Sequence, residues 1–434
     1  MNYSQHVKDI LFEKIKEVAQ NSRLYCQNPD KDFTRMRKLG FEEMLRLITM
    51  MEGGSIKKEL LTYFEYDVNT VTSSAFIQQR SKIKPEAFEQ VFHKFNNSFL
   101  EEKLYKGYRL LACDGCNLIT ASNPMDKGHH YNYVKGIRTF NMIHFNALYD
   151  LLSRRYLDAT IQPGYNIDER GSLMTMLSRF HSDSPSIVIA DRGYSAYNIY
   201  AFAQENNLNY IIRVKEHEAI ALLKKCDLVY DCDFDYIMNL QLANRQTKSI
   251  KNQPKLYKYV SEKSFKYFDK NGFFPITFRV VRIPLDEGSY EYIFTNLPKE
   301  QFNAAALEEL YHLRWGIETS FRELKYAVGL VNLHSKKAEH IKQEIFAKLT
   351  LYNFCEIITT HVLIRKKKKK KHCYQLNYTL AITICKYFLR CRDDKSPPDV
   401  EALIQRELLP IRSNRKCSRK THNKAPVSFL YRVA

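Results

Sequence analysis

Apolar residues recur at helical spacing through the first hundred positions. Ile10, Leu11, Ile15 and Val18 line one face of the opening segment, and Phe41, Met44, Leu45, Ile48 and Met51 form a second stripe. In Lys84-Pro85-Glu86-Ala87-Phe88 the proline stands where the first turn of a helix tolerates it, and apolar positions continue through Val91, Phe92 and Phe95. Residues 1–104 are expected to form a helical domain.

The pattern changes near residue 105. Tyr108-Arg109-Leu110-Leu111-Ala112-Cys113 is a short apolar run that closes at Asp114-Gly115. Two longer strand-like segments follow at 138–149 and 155–162, and Pro163-Gly164 marks a turn. Residues 169–180 read as an amphipathic helix. Ile187-Val188-Ile189-Ala190 reads as a buried strand closing at Asp191, 195–205 as a helix and 209–214 as another strand. The first three strands are close enough to pair as a meander, whereas the later ones need helical crossovers. The order predicts a mixed α/β sheet.

Residues 216–295 carry strand-like runs at 256–260, 274–282 and 290–294, with turn signals at Lys270-Asn271-Gly272 and Asp286-Glu287-Gly288. This stretch is expected to be a separate β-rich insertion, dividing a core of 105–215 from its last part at 296–355. Helix returns at Ala304 and is expected to run through Leu324. Residues 356–434 are expected to be basic and mostly helical, over 341–363 and 380–389.

Aromatic content of 13% supplies material for a large core and excludes disorder over most of the 434 residues. Charge changes the picture more. Sixty-seven Lys and Arg against 48 Asp and Glu give +19 and a pI near 9.3. Such an excess points to a polyanionic partner, nucleic acid first and a membrane surface second. No apolar run reaches transmembrane length, and the opening segment lacks a signal-peptide core, so the expected compartment is the cytoplasm. With that charge, the N-terminal helices are either a plain bundle or a unit that docks on DNA. Lys366 to Lys371, six lysines in a row, are either a solvated loop or a phosphate-binding patch.

Asp114 and Asp191 each close an apolar run. Carboxylates where strands leave a sheet can converge on one point. A third acid is offered by the segment YHLRWGIETSFRELKYAVGL. There Tyr311, Arg314, Glu318 and Lys325 fall at offsets that share one face of a helix. Such a stripe carries an aromatic ring, two cations and a carboxylate where a core helix would place leucines. As a pattern alone it is equally a solvated face.

The spacing Tyr-x2-Arg-x3-Glu-x6-Lys resembles the signature of IS4-family DDE transposases, and Tyr311, Arg314, Glu318 and Lys325 match it without a gap. Asp191-Arg192-Gly193-Tyr194 resembles the block around that family's second acid, the surroundings of Asp114 that of the first, and the stretch from Ser74-Ala75-Phe76 to Phe88 its N-terminal region. The resemblance covers residues 70–350. It implies an RNase H-like core, a mixed five-stranded sheet flanked by helices. Asp114, Asp191 and Glu318 would be the catalytic, metal-binding acids, with the β-rich insertion between the last two. The implied activity is cut-and-paste DNA transposition, with cleavage at terminal inverted repeats and joining of the ends to target DNA. Implied partners are double-stranded transposon-end and target DNA and a second copy of the chain in the synaptic complex, at the nucleoid of a bacterial cell.

Three carboxylates without His or Cys suit Mg²⁺, or Mn²⁺ in its place, rather than zinc. Two such ions roughly 3.5–4 Å apart can serve the attacking and leaving oxygens of a phosphodiester. By position in the motif, Arg314, Lys325 and Tyr311 would contact DNA near the cleaved end. Trp315, the only tryptophan, either stacks a displaced base or packs in the core. Glu323, five residues past Glu318, falls on another face and is left out of the site. Cys113 and Cys116 make a lone CxxC, a weak metal signal. His129 and His130 sit in a polar segment expected to be a solvent-exposed loop. A catalytically silent DNA-binding protein and a simple RNase H-like nuclease remain the alternatives.

Overall fold

A computed structural model describes residues 2–131, 139–285, 289–362, 374–392 and 396–410; the Lys366–Lys371 run and the Asp286-Glu287-Gly288 turn lie outside them. Ten strands join one mixed sheet among the described residues. They are β1 (Arg109–Thr120), β2 (His130–Tyr131), β3 (Phe140–Asp150), β4 (Arg155–Pro163), β5 (Ser186–Ala190), β6 (Asn209–Val214), β7 (Asp235–Ala243), β8 (Tyr257–Tyr259), β9 (Phe273–Pro284) and β10 (Tyr290–Thr295). β1 lies between β3, antiparallel to it, and β5, parallel to it. β6 runs parallel to β5 on the far side. β4 and the short β2 share the outer edge of β3.

The stretch read as a separate insertion does not stand apart. β10 pairs antiparallel with β6, and β9, β7 and β8 follow outward, so these strands lengthen the central sheet instead of building a second one. The five strands expected of the core are accordingly half of the sheet. The reason is edge chemistry. β6 would otherwise present a row of open N–H and C=O groups, and β10 satisfies them.

Burial alternates along the strands. Leu110, Ile187, Ile189 and Ile211 pack on one face with Leu307, Leu310 and Tyr311 of the Ala304–Leu313 helix. Leu111, Cys113, Val188, Ala190 and Ile212 face the other way, onto the helices Glu169–Arg179, Tyr197–Glu205 and Glu216–Lys225. A strand such as β5, buried at every residue, is what two covered faces demand.

Beyond β1, β3 and β4, the first face receives the N-terminal helices. These are Tyr3–Gln20, Phe41–Met50, Ile56–Tyr63, Ser73–Arg80 and Glu86–Asn96, and they pack around the 24-residue helix Ala338–His361. No helix of the described residues is long and apolar enough to cross a membrane. A buried polar network ties this layer together. The Arg80 guanidinium meets Glu344 Oε1 at 2.8 Å and Gln343 Oε1 at 2.9 Å, and His334 Nδ1 lies 3.0 Å from Glu344 Oε2. Asn353 Nδ2 donates to Asn96 Oδ1 and to the Tyr156 carbonyl, both at 2.7 Å, joining helix Glu86–Asn96 to β4.

This network sets a pH response. Burial, then Arg80 and Lys337, hold the imidazole of His340 down to about 4, against an opposing pull from Glu344. Its hydroxyl neighbours Ser81 and Ser335 bond either ring nitrogen whatever its charge. The unfolded chain takes up the proton near pH 6.5, whereas the folded one stays neutral to about pH 4. Stability from this residue is therefore complete above pH 6.5 and lost as pH falls through that window, on the order of 3 kcal/mol. Thermal melts of wild type and His340→Gln from pH 7 to pH 4 should show wild type losing Tm relative to the variant on acidification. Parallel curves would refute the assignment.

Candidate active site

In the last rung of the parallel β1–β5 ladder, Cys113 lies opposite Ala190. The next residues are Asp114 and Asp191. Neighbouring strands are about 4.8 Å apart, so the backbone alone makes these two acids neighbours. β5 stops at Ala190, and Asp191 accepts the Tyr194 N–H at 2.9 Å to open a single 3₁₀ turn. β1 does not stop. It was expected to close at Asp114, yet it runs on to Thr120 against β3, with Asp114 opposite Ala147. Cys116, Leu118 and Thr120 alternate inward along this extension and hold it. Asp114 thus sits where β1 loses its β5 neighbour, on the same face as Leu110 and Ala112.

That face is where the third acid arrives. One helix was expected from Ala304 through Leu324. The chain instead forms Ala304–Leu313 and Trp315–Arg322, separated at Arg314, followed by a π-helical turn Glu323–Val328. At the break, Arg314 N–H bonds Tyr311 and Ile317 N–H bonds Arg314, three residues apart rather than four, both at 3.1 Å. Leu151 comes within 3.0 Å of where a Cβ on Gly316 would stand, so the residue after Trp315 leaves little room for a side chain. Gly329, at φ +97°, ends the π turn in the left-handed region that favours glycine.

The motif side chains meet the two aspartates. The buried Tyr311 hydroxyl donates to Asp191 Oδ1 at 3.2 Å. Arg314 Nη2 donates to Glu318 Oε1 at 2.9 Å, and its guanidinium lies 5.5 Å from the Tyr311 ring and 5.3 Å from the Trp315 ring. Trp315 is 43% exposed, which sets aside packing in the core. Lys325, displaced by the π turn, reaches the Cys116 thiol, whose pKa burial raises and Lys325 moderates. Tyr311 and Arg314, expected to contact DNA near the cleaved end, are buried in this structure, where one bonds an acid and the other neutralises two.

Asp114 and Arg314 feel the charges of the groups around them. Burial pushes the Asp114 carboxyl up to about 6; the Gly115 N–H and Arg314 oppose the shift, while Glu318 and Glu169 add to it. Burial works against the Arg314 charge, but Tyr311, Glu318 and Asp191 outweigh it. Glu169 and His144, which touch at 3.3 Å, had not been singled out from the sequence. Glu169 opens a helix behind the N-cap Asp168, a pattern that equally describes a helix-capping acid.

Among the described residues, no three His, Cys, Asp or Glu side chains are drawn tightly enough to hold a metal ion. Asp191 is turned to Tyr311 and Glu318 to Arg314. The donor set still fits a hard divalent cation: carboxylates alone, one of them half-buried and raised by two more. Cys113 and Cys116 do not add to it. Three apart on a strand, they point to opposite faces, with Cys113 against the Tyr194 hydroxyl. His129 and His130 lie outside the pocket and are less exposed than expected. His129 bonds Asp126 at 2.8 Å, and His130, in β2, bonds Asn141 at 2.9 Å.

The profile of the family described as Transposase DDE domain matches residues 105–354, more than half of the chain. The transposase for insertion sequence element IS421 of Escherichia coli is 35% identical over 65 residues, which cover 15% of this chain and 18% of that protein. The match therefore spans under a fifth of that relative's length. Among solved structures, the cryo-EM piggyBac transposase synaptic complex with hairpin DNA aligns over 88% of this chain and 77% of its own, at a TM-score of 0.45 and 9% identity. A likeness that slight bears on neither fold nor function.

Beneath the Glu318 helix, Arg154 Nη2 meets Glu323 Oε2 at 2.9 Å and its Nε meets Glu356 Oε2 at 2.8 Å. Its guanidinium stacks 3.8 Å from the Tyr378 ring. Arg154→Met would leave two buried carboxylates without a cation, and should cost about 3–5 kcal/mol. Denaturant melts check this, and a loss below about 1 kcal/mol, the range of an exposed pair, would show that the network is not what holds this helix down.

Proposed function

The chain belongs to the Transposase DDE domain family, and from that premise we propose that it cuts DNA at the ends of an insertion sequence and joins them to target DNA. The observation that carries this reading is the register of β1 and β5, which puts Asp114 beside Asp191 on the face that receives Glu318. In this reading the three carboxylates are the catalytic residues of an RNase H-like core of the IS4 type, and they hold Mg²⁺ or Mn²⁺. Two such ions, when bound, supply Lewis acidity at the attacking and leaving oxygens of the phosphodiester.

The chain's own residues do the rest. Tyr311 fixes the rotamer of Asp191 through its hydroxyl. Arg314 holds Glu318 in the free protein, and once Glu318 turns inward its planar fork is open to a DNA phosphate. Trp315, half-exposed one residue on, offers a ring on which a displaced base can stack. Lys325 supplies a point charge at the pocket's rim. Two ends must be held together for joining, so the working form is a dimer on double-stranded DNA. In this reading the helices within 1–104 extend the DNA-facing surface, consistent with the net charge of +19.

Labelled duplexes carrying the inverted repeats that flank the coding region, incubated with protein and Mg²⁺, should be cut and joined to a second duplex. Asp114→Asn, Asp191→Asn and Glu318→Gln should each lose cutting by orders of magnitude while still binding the ends. Cutting that survives Glu318→Gln refutes the site; nicking without joined products indicates a nuclease, and binding without cutting a silent DNA binder.

Lys325→Ala should weaken DNA binding alike for all sequences and lower the slope of log affinity against log salt by about 1. An unchanged slope would remove Lys325 from the DNA-contacting set.

A further inference from the structure

β1 has a gap in its side-chain wall at Gly115, immediately after Asp114. A Cβ there would stand 2.4 Å from Glu169 Oε1 and 2.6 Å from His144 Nε2. Glu169 fills this space from the opposite face of the sheet, where its helix Glu169–Arg179 packs. Its other oxygen, Oε2, lies 3.7 Å from where a Cβ on Gly193 would be, in the turn that follows Asp191. One carboxylate therefore stands between Gly115, next to Asp114, and Gly193, two residues after Asp191.

Its position is built. His144 Nε2 holds Glu169 Oε1 at 3.3 Å, and the imidazole is fixed in turn by Asn117 Oδ1 at 2.6 Å and Asn146 Oδ1 at 3.2 Å. Asn146 is itself oriented by donating to Ser172 Oγ at 3.1 Å, on the same helix as Glu169. The next residue, Arg170, donates from Nε to the Gly193 carbonyl at 2.8 Å, locking the start of this helix to the Asp191 turn. A capping acid needs none of this. The N-cap role belongs to Asp168, which accepts the Gly171 N–H at 2.8 Å.

We propose that Glu169 is a fourth carboxylate of the acidic site, reaching it through the opening that Gly115 leaves in β1, and that it helps to hold the divalent cation, with His144 as its positioning residue. This rests on the reading that Asp114, Asp191 and Glu318 bind such a cation. It also gives Gly115 a reason: any side chain there would expel the Glu169 carboxylate.

Mn²⁺ binding to the full chain, followed by the loss of the free-ion paramagnetic resonance signal, tests this without recourse to cleavage. Glu169→Gln keeps the size and the contact with His144. It should weaken Mn²⁺ binding by about 10–100-fold, the range seen when a supporting metal-site group is removed. Its Tm in EDTA should match wild type. Gly115→Ala should weaken binding in the same way, and His144→Gln by less. If Glu169→Gln binds Mn²⁺ as wild type does while Asp114→Asn does not, Glu169 and His144 form only a structural pair, and the inference is overturned with the three-acid site intact. If Asp114→Asn binds as wild type does, the three-acid site itself has failed.

Discussion

Everything at the site depends on one backbone constraint, the parallel pairing of β1 with β5 that ends with Cys113 opposite Ala190. Parallel strands place like-numbered ends at the same end of the sheet. Two acids one residue beyond the last rung must therefore lie side by side, whatever their separation along the chain. The early end of β5 adds the second requirement. It uncovers the β1 edge at Asp114, so that the carboxylate faces a pocket and not another strand. No side-chain interaction could substitute for this, because it determines where the Cα atoms are.

The helix that completes the site is held by charges taken out of water. Arg314 is buried between Glu318, Tyr311 and Asp191, and Arg154 lies half-buried between Glu323 and Glu356. Such groups contribute little net stability compared with apolar packing of the same volume. Their value lies in permitting few alternatives, since a shifted helix would strand a buried ion. The same holds for Arg80 and Glu344 in the N-terminal layer. Three arginines thus fix how three elements seat on the sheet, and apolar clusters fill the space between them.

Much of this was legible along the chain. Strand-like runs closing at Asp114 and Asp191, and the Tyr311-to-Lys325 spacing, identified the groups that the fold brings together. What was not legible has identifiable causes. The continuation of β1 beyond Asp114 depends on β3, whose paired residues lie 21 to 31 positions on, and not on local preference. β7 was passed over although Met238, Leu240 and Leu242 alternate inward, because acidic and aromatic residues precede them. That β10 docks on β6 is a matter of which edge lies open, which no window of residues contains. The break at Arg314 and the π turn arise from tertiary contacts of a segment whose own periodicity is smoothly helical. Glu169 and His144 meet only because Gly115 has no side chain between them.

The ten-stranded continuity of the sheet has a bearing on biosynthesis. Between Asp191 and Glu318 the polypeptide makes four outer strands, and β10 precedes the helix that carries Glu318. A nascent chain emerging from the ribosome can assemble β1, β3, β4, β5 and β6 with two of the carboxylates and still lack the third. Any product truncated before residue 318 inherits the same defect. The order of elements thus acts as an interlock, in which the acidic cluster lacks Glu318 until synthesis has passed residue 318.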